Sequence, residues 1–294
     1  MRTRSAFLLL FSCVLLLGGT SAAHANDARE EYRKTWSSLL DKRQYSEAKT
    51  TCSGWLNGAD RGQRVEAHLC LAYADYFLSE SGKLGVVQQK DAGGAFIRPA
   101  YDDKGIDSSL AHIAKAIALE PNNIAPHKLR LDVLMKTGRY SETPKALESS
   151  LGVYRGDNIA NRWLDYAPSF LSDGMHHDGL KYMQVLEKRY PNDHRVIANI
   201  GAMHMALKND TEASKYLVRA VQMNHDDPLN NWNLARFYDF TNRNLEADRY
   251  YKKALELYAR VEPDREGNCV YADFLEKKMK DATKAKELRS KYCR

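Results

Sequence analysis

Glycine and proline are scarce, 17 and 8 among 294 residues, which counts against a loop-rich β-sandwich and excludes collagen-like repetition. Long apolar runs are missing too. The stretch Ala6 to Leu17 is shorter than the roughly 20 residues of a spanning helix, and a mean hydropathy of −0.57 excludes a polytopic membrane protein. With 44% hydrophobic and 28% charged residues, the composition is that of a folded soluble chain rather than a disordered one. Enzymatic signatures are absent: the sequence contains no H-E-x-x-H, no G-x-x-x-x-G-K-[ST], no G-x-S-x-G and no dinucleotide fingerprint.

What is present begins with a three-part leader. Met1-Arg2-Thr3-Arg4 precedes the apolar run, and small residues follow, ending in Ala23-His24-Ala25. This is the plan of a secretory signal peptide, with cleavage expected after Ala25. The segment Leu10-Phe11-Ser12-Cys13 loosely resembles a lipobox, but the apolar residues Val14 to Leu17 continue past Cys13 and argue against lipidation there. Removing Arg2 and Arg4 takes Lys+Arg from 44 to 42 against 38 Asp+Glu, leaving +4, too little to call for nucleic acid or another polyanion. Basic residues concentrate in the tail, from Lys277 to Arg294, which reads as the solvated face of a terminal helix, with contact to an anionic surface as the alternative.

Four cysteines remain beyond the leader, Cys52, Cys70, Cys269 and Cys293, an even number in a chain bound for an oxidising compartment. Three pairings are open. The sequential one, Cys52 with Cys70 and Cys269 with Cys293, is expected because each bridge would tie neighbouring helices. No C-x2-C or clustered histidine suggests zinc.

Laid against itself, the chain aligns without a gap at 34 residues over 160–193, 194–227 and 228–261. Ala213 and Ala220 recur as Ala247 and Ala254. Trp163, Tyr166, Ala167, Phe170, Gly179, Met183 and Pro191 mark the first window, and Leu234, Ala235, Tyr238, Ala247 and Tyr251 the third. This pattern resembles the tetratricopeptide repeat, W-x2-L-G-x2-Y…A-x3-F…P. Weaker copies include Ala116 to Pro121, Thr137 to Glu142, a window at 29–62 and another opening at 63. The resemblance implies an all-α, right-handed superhelical solenoid of about seven antiparallel helix hairpins, a single domain over 26–294 with a polar cap at 262–294. On that register Cys52 and Cys70 fall on adjacent helices, which again favours the sequential bridges.

The second hairpin, 63–123, exceeds the period by 27 residues, and the excess lies in Gly82 to Ile106. With Gly93-Gly94, Pro99 and Gly105 between apolar residues such as Phe96 and Tyr101, it reads as a long loop, and loops of that length commonly carry contacts. Elsewhere the chemistry is thin. His176-His177 reads as a solvated turn, His204 as a packed core residue, and Asp102-Asp103 as exposed loop acids. No catalytic residue, no cofactor and no metal is expected.

In the resembled family, the first helices of successive repeats line a concave groove that binds a peptide or partner segment. Here that face carries Trp232, Arg236 and Phe240 at i, i+4 and i+8 with Asp239 beside them, and Arg195, Met205, Leu164 and Leu171 from the preceding repeats. The two-carboxylate clamp of some members is not expected, since Lys128 is followed by Asp132 where an amide should stand. The reading is thus a non-catalytic adaptor or scaffold of the cell envelope, periplasmic or secreted, with protein partners. Two other classes stay open: a solenoid supporting a glycan-acting or ligand-binding site at the 82–106 loop, and a self-assembling architectural component.

Overall fold

The computed structural model describes residues 28–80, 101–154, 161–260 and 265–293, and in them regular structure is helical, with no strand. Seven consecutive helix pairs can be traced. They are α1 (28–41) with α2 (Tyr45–Gly54), α3 (Arg61–Ser79) with α4 (Asp103–Leu119), and α5 (Ile124–Lys136) with α6 (Thr143–Val153). Next come α7 (Asn161–Leu164) and α8 (Ala167–Ser172) with α9 (His176–Arg189), then α10 (His194–Ala206) with α11 (Asp210–Met223). The series ends with α12 (Pro228–Phe240) and α13 (Asn244–Tyr258), then α14 (Arg265–Phe274) and α15 (Ala282–Tyr292).

The chain divides into two compact units, Met1–Arg139 with Lys145–Tyr154, and Tyr140–Pro144 with Arg155–Arg294. In the first, Val65, Leu69, Ala72, Ile106, Ile113, Leu129 and Val133 join α3, α4 and α5 in one apolar cluster. Beside it Ala48, Cys52, Cys70, Leu71 and Ala74 pack with Trp36 and Trp55. Helix α1 is held by a buried charge: Glu66, with its side chain fully buried, accepts from Arg29 Nε at 2.8 Å, an Arg33 guanidinium nitrogen at 2.8 Å and Trp36 Nε1 at 3.1 Å. In the second unit Ala213, Leu217, Leu234, Ala235, Phe237, Tyr238, Ala247 and Tyr251 run on into Tyr271, Phe274 and Leu275. Cys52 is bonded to Cys70, joining α2 to α3, and Cys269 to Cys293, joining α14 to the end of α15.

The helix ends repeat as the sequence does. Asp193 and Asp227, 34 residues apart, cap α10 and α12 by accepting from the N–H of Arg195 and Asn230. Gly174, Lys208 and Asn242, again 34 apart, have φ of 71°, 58° and 58° and turn the chain between the two helices of their pairs. Arg43, Gly138 and Lys280 do the same in three other pairs. After five of these turns the next N–H returns to the carbonyl five residues back, as Asn209 does to His204 and Arg243 to Tyr238, closing the helix end.

Two features differ from the sequence reading. Residues 103–106, expected at the end of a loop, form the first turn of α4, because Asp102 accepts from the Gly105 N–H and Ile106 is buried against α3. The first helix of the fourth pair is broken into α7 and α8 around Tyr166, because Pro168 offers no N–H and its ring excludes a continuous turn.

Candidate functional site

Helix α12 buries Asn230, Leu234, Ala235, Phe237 and Tyr238, which leaves the stripe Trp232, Arg236, Phe240 on the opposite side. The structure splits this stripe. Arg236 and Phe240 project into a cavity of about 340 Å³, and Phe240 is 54% exposed. Trp232 turns the other way: its indole stands T-shaped against Tyr251 at 4.9 Å, in the core shared with α13. Asp239 also faces that side, 3.4 Å from the Tyr251 hydroxyl and 3.6 Å from Lys278. Burial raises the Tyr251 hydroxyl's pKa and Asp239 adds to it, while the positive charge of Arg236 works against them.

The other walls come from the two preceding pairs. Helix α10 supplies Ala202, Met205 and Ala206, small residues that open the space around one flexible thioether. Leu171 of α8, His176 of α9 and Lys208, in the left-handed turn after α10, also line it. Asn233 completes the lining; it is 8% exposed, and no described residue hydrogen-bonds its side chain. No carboxylate lines the cavity, and Lys208 and Arg236 have no ion-pair partner among the described residues.

A larger cavity, about 680 Å³, lies against α11 and α13, bordered by Val221, His225, Arg249, Lys252 and Glu256. Two of its lysines are paired: Lys252 with Asp248 at 2.6 Å, and Lys253 with Asp226 at 3.3 Å. Carboxylates, Asp248 and Glu256, line this larger cavity beside its cations, whereas none lines the smaller one.

Of the residues expected on the groove, Leu171, Met205, Arg236 and Phe240 are brought together, and Trp232 and Asp239 are not. Leu164 is half-buried on α7. Arg195 is folded back on Asp193, with contacts of 3.0 and 2.6 Å; burial would raise the Asp193 pKa, but the guanidinium bonds hold it below its ordinary value. Tyr101 stacks on Tyr76 with their hydroxyls 3.1 Å apart, in the first unit's core. Phe96, the leader 1–25 with its cleavage site, and Cys13 lie outside the described residues. His204 stacks on Tyr216, and His176 lines the cavity rather than standing in open solvent. Asn233 was not singled out by sequence, although Asn199 stands 34 residues before it and could have drawn attention to the position. Among the described residues no cluster of three or more His, Cys, Asp or Glu could hold a metal ion, and no helix is long and apolar enough to cross a membrane.

Comparison with known proteins adds three findings. The family model described as tetratricopeptide repeat matches residues 230–260, which are α12, its turn and α13. The anaphase-promoting complex subunit CDC16 of Saccharomyces cerevisiae is 24% identical over 141 residues, 48% of this chain, and the match spans only 16% of the yeast protein. Among solved structures, PilW, a type IV pilus biogenesis factor, is 18% identical, with 64% of this chain and 84% of that one covered and a TM-score of 0.45. YrrB, whose structure is described as having an unusual peptide-binding site, is 14% identical over 61% of this chain and 90% of its own, with a TM-score of 0.40.

Proposed function

We propose that the chain is a tetratricopeptide-repeat protein, in keeping with the family model matched at 230–260, and that it is a non-catalytic adaptor of the cell envelope that holds a segment of a partner protein in the cavity between α8, α10 and α12. The observation that carries this reading is the cavity itself. Three successive helix pairs contribute to it, much of its wall is apolar, and Lys208 and Arg236 have no ion-pair partner among the described residues. Such a combination of aliphatic and aromatic walls with a guanidinium is typical of the buried centre of a protein interface. Placement in the envelope rests on the leader read at 1–25 and on two disulfides, which persist in oxidising compartments. A protein partner is favoured over a polyanion because the charge is local and small, two cations and a histidine rather than a basic stripe.

The test is a loss-of-capture experiment on the secreted chain. Arg236→Ala with Phe240→Ala is expected to abolish co-isolation of the partner while leaving helicity and melting temperature unchanged, since both side chains are exposed. Retained capture by a folded double variant removes this cavity as the binding surface.

A further inference from the structure

The two disulfides of the molecule stand in opposite surroundings. Cys52 and Cys70 are fully buried among Ala48, Leu71 and Ala74. Cys293, at the end of α15, is exposed, and its partner Cys269, on α14, is half-buried. Thiol–disulfide exchange requires a thiolate to reach a sulfur, so access separates a bridge that can be opened in the folded protein from one that cannot. Charge works in the same direction. Lys284, Lys286 and Lys291 are exposed on α15 against a single acid within that helix, Glu287, and the approach of an anionic thiolate is favoured.

What the bridge holds is the second observation. Helix α14 sits on the α12–α13 pair through contacts of its own. The Tyr271 hydroxyl donates to Asp248 at 2.8 Å, and the Phe274 and Tyr251 ring centres are 5.0 Å apart. Lys278, in the helical turn Leu275–Met279 that continues α14, donates to Asn242 at 2.9 Å. Helix α15 has far less. It follows α14 through Lys280, in the left-handed conformation, and among its residues only Ala285 is buried, with Leu288 partly covered. Its Arg289 pairs with Asp273 and with Glu276, each at 2.6 Å and each at the surface, where such pairs contribute little. Eleven residues are too few for a helix to persist in water without packing. The covalent bond, closing a separation of 24 residues, is therefore what keeps α15 in place.

We propose that Cys293 is a thiol-exchange site, and that its opening by a thiol releases α15 from α14. A thiolate bonds Cys293 Sγ as the Cys269–Cys293 bond breaks, and Cys269 leaves as a thiolate that takes up a proton near neutral pH, a cysteine's ordinary pKa being about 8.5. A second thiolate then displaces Cys293 as a thiol. The protein bridge has gained two electrons, and two thiols of the reagent have become one disulfide. Undocking carries Cys293 away from Cys269, so the first adduct is not reclosed at once. Leu255 and Tyr271, which line a cavity of about 310 Å³ together with Leu288 and Tyr292, lose that cover. This site lies on the last helix pair and does not depend on what the cavity between α8, α10 and α12 holds.

The experiment exposes the full, oxidised chain to reduced glutathione in native buffer, quenches with N-ethylmaleimide and maps each cysteine by mass spectrometry. Glutathione on Cys293 and maleimide on Cys269 are expected, forming at least about tenfold faster than any modification of Cys52 or Cys70. Amide exchange in α15 is expected to quicken at least about tenfold in the glutathione-opened protein, while α10 to α13 keep their protection. Cys269→Ser with Cys293→Ser should reproduce that pattern without any thiol; where this variant does not fold, exchange on the opened wild type decides alone. Equal rates at the two bridges, glutathione predominantly on Cys269, or α15 amides that stay protected once the bond is open would each overturn the assignment.

Discussion

At the scale of single residues, the first unit contains a titratable pair that the binding reading does not use. His68 and His112 approach through their Nδ1 atoms at 2.9 Å, with Asp75 3.9 Å from His112 and Lys49 bonded to Asp75 at 2.6 Å. Burial, then His112 and Lys115, lower His68 to about 4 from its ordinary 6.5, and burial likewise lowers His112 despite Asp75. Below pH 6.5 the unfolded chain therefore binds protons that the folded chain refuses. The stabilising effect is complete above pH 6.5 and is lost as pH falls toward 4, at about 1.4 kcal/mol per pH unit for one such histidine. Urea unfolding of the wild type at pH 7, 6 and 5 should show this decline, and His68→Gln should flatten it; parallel curves for the two proteins would contradict the assignment. A second residue-scale prediction concerns Gly201, where an added Cβ would lie 2.6 Å from Leu217 Cγ and 3.1 Å from its backbone nitrogen. Overpacking of this kind costs about 1–3 kcal/mol, more than the helix-propensity gain of roughly 1 kcal/mol. Gly201→Ala should thus lower stability in denaturant titration, and the penalty should shrink when Leu217 is already Ala. Residue-level legibility was uneven for a physical reason: the i, i+4, i+8 spacing of Trp232, Arg236 and Phe240 gives one helix face, but not the neighbour each side chain chooses. Tyr251 takes the indole, and that contact is visible only in three dimensions.

At the scale of elements, the turns obey the 34-residue period most closely. Gly174, Lys208 and Asn242 occupy one position of three successive repeats, all in the left-handed region. A Cβ at Gly174 would meet nothing within 4 Å, so Gly174→Ala isolates the backbone cost of about 1–2 kcal/mol. Arg43, at φ 58° in the first pair, is the converse case: Arg43→Gly should raise the melting temperature, as the left-handed strain is relieved without loss of the helix-closing bond from Gln44 to Leu39. Thermal scans of the two variants should move in opposite directions. The pairing of helices was legible because Ala213/Ala247 and Gly201/Ala235 fix which faces approach. The break at Tyr166 was not read, although Pro168 announces it, because the repeat pattern suggested one continuous helix. Residues 103–106 were misplaced because Gly105 reads as a loop residue until the Asp102 cap is recognised.

At the scale of the whole molecule, each compact unit has its own apolar core and its own disulfide. The Cys52–Cys70 bridge spans 18 residues and should contribute on the order of 3 kcal/mol to the first unit. In Cys52→Ala with Cys70→Ala, hydrogen exchange should therefore quicken in α2 and α3 while α10 to α13 keep their protection; uniform loss of protection would argue against separate stabilisation. Helical class and repeat length were legible from sequence because one pair cannot bury its apolar face alone, and the residues that do so recur at 34. The occupant was not legible, since the period encodes the scaffold, whereas the cavity depends on which side chains of α8, α10 and α12 turn into it. The central claim, that a partner segment lies between α8, α10 and α12, is tested most directly by photo-crosslinking in the native host, with the probe replacing Phe240 and, as control, Lys215. A single discrete protein adduct from position 240 and none from 215 is the expected result. No adduct from either site in a folded, exported protein, or equal adducts from both, would contradict it.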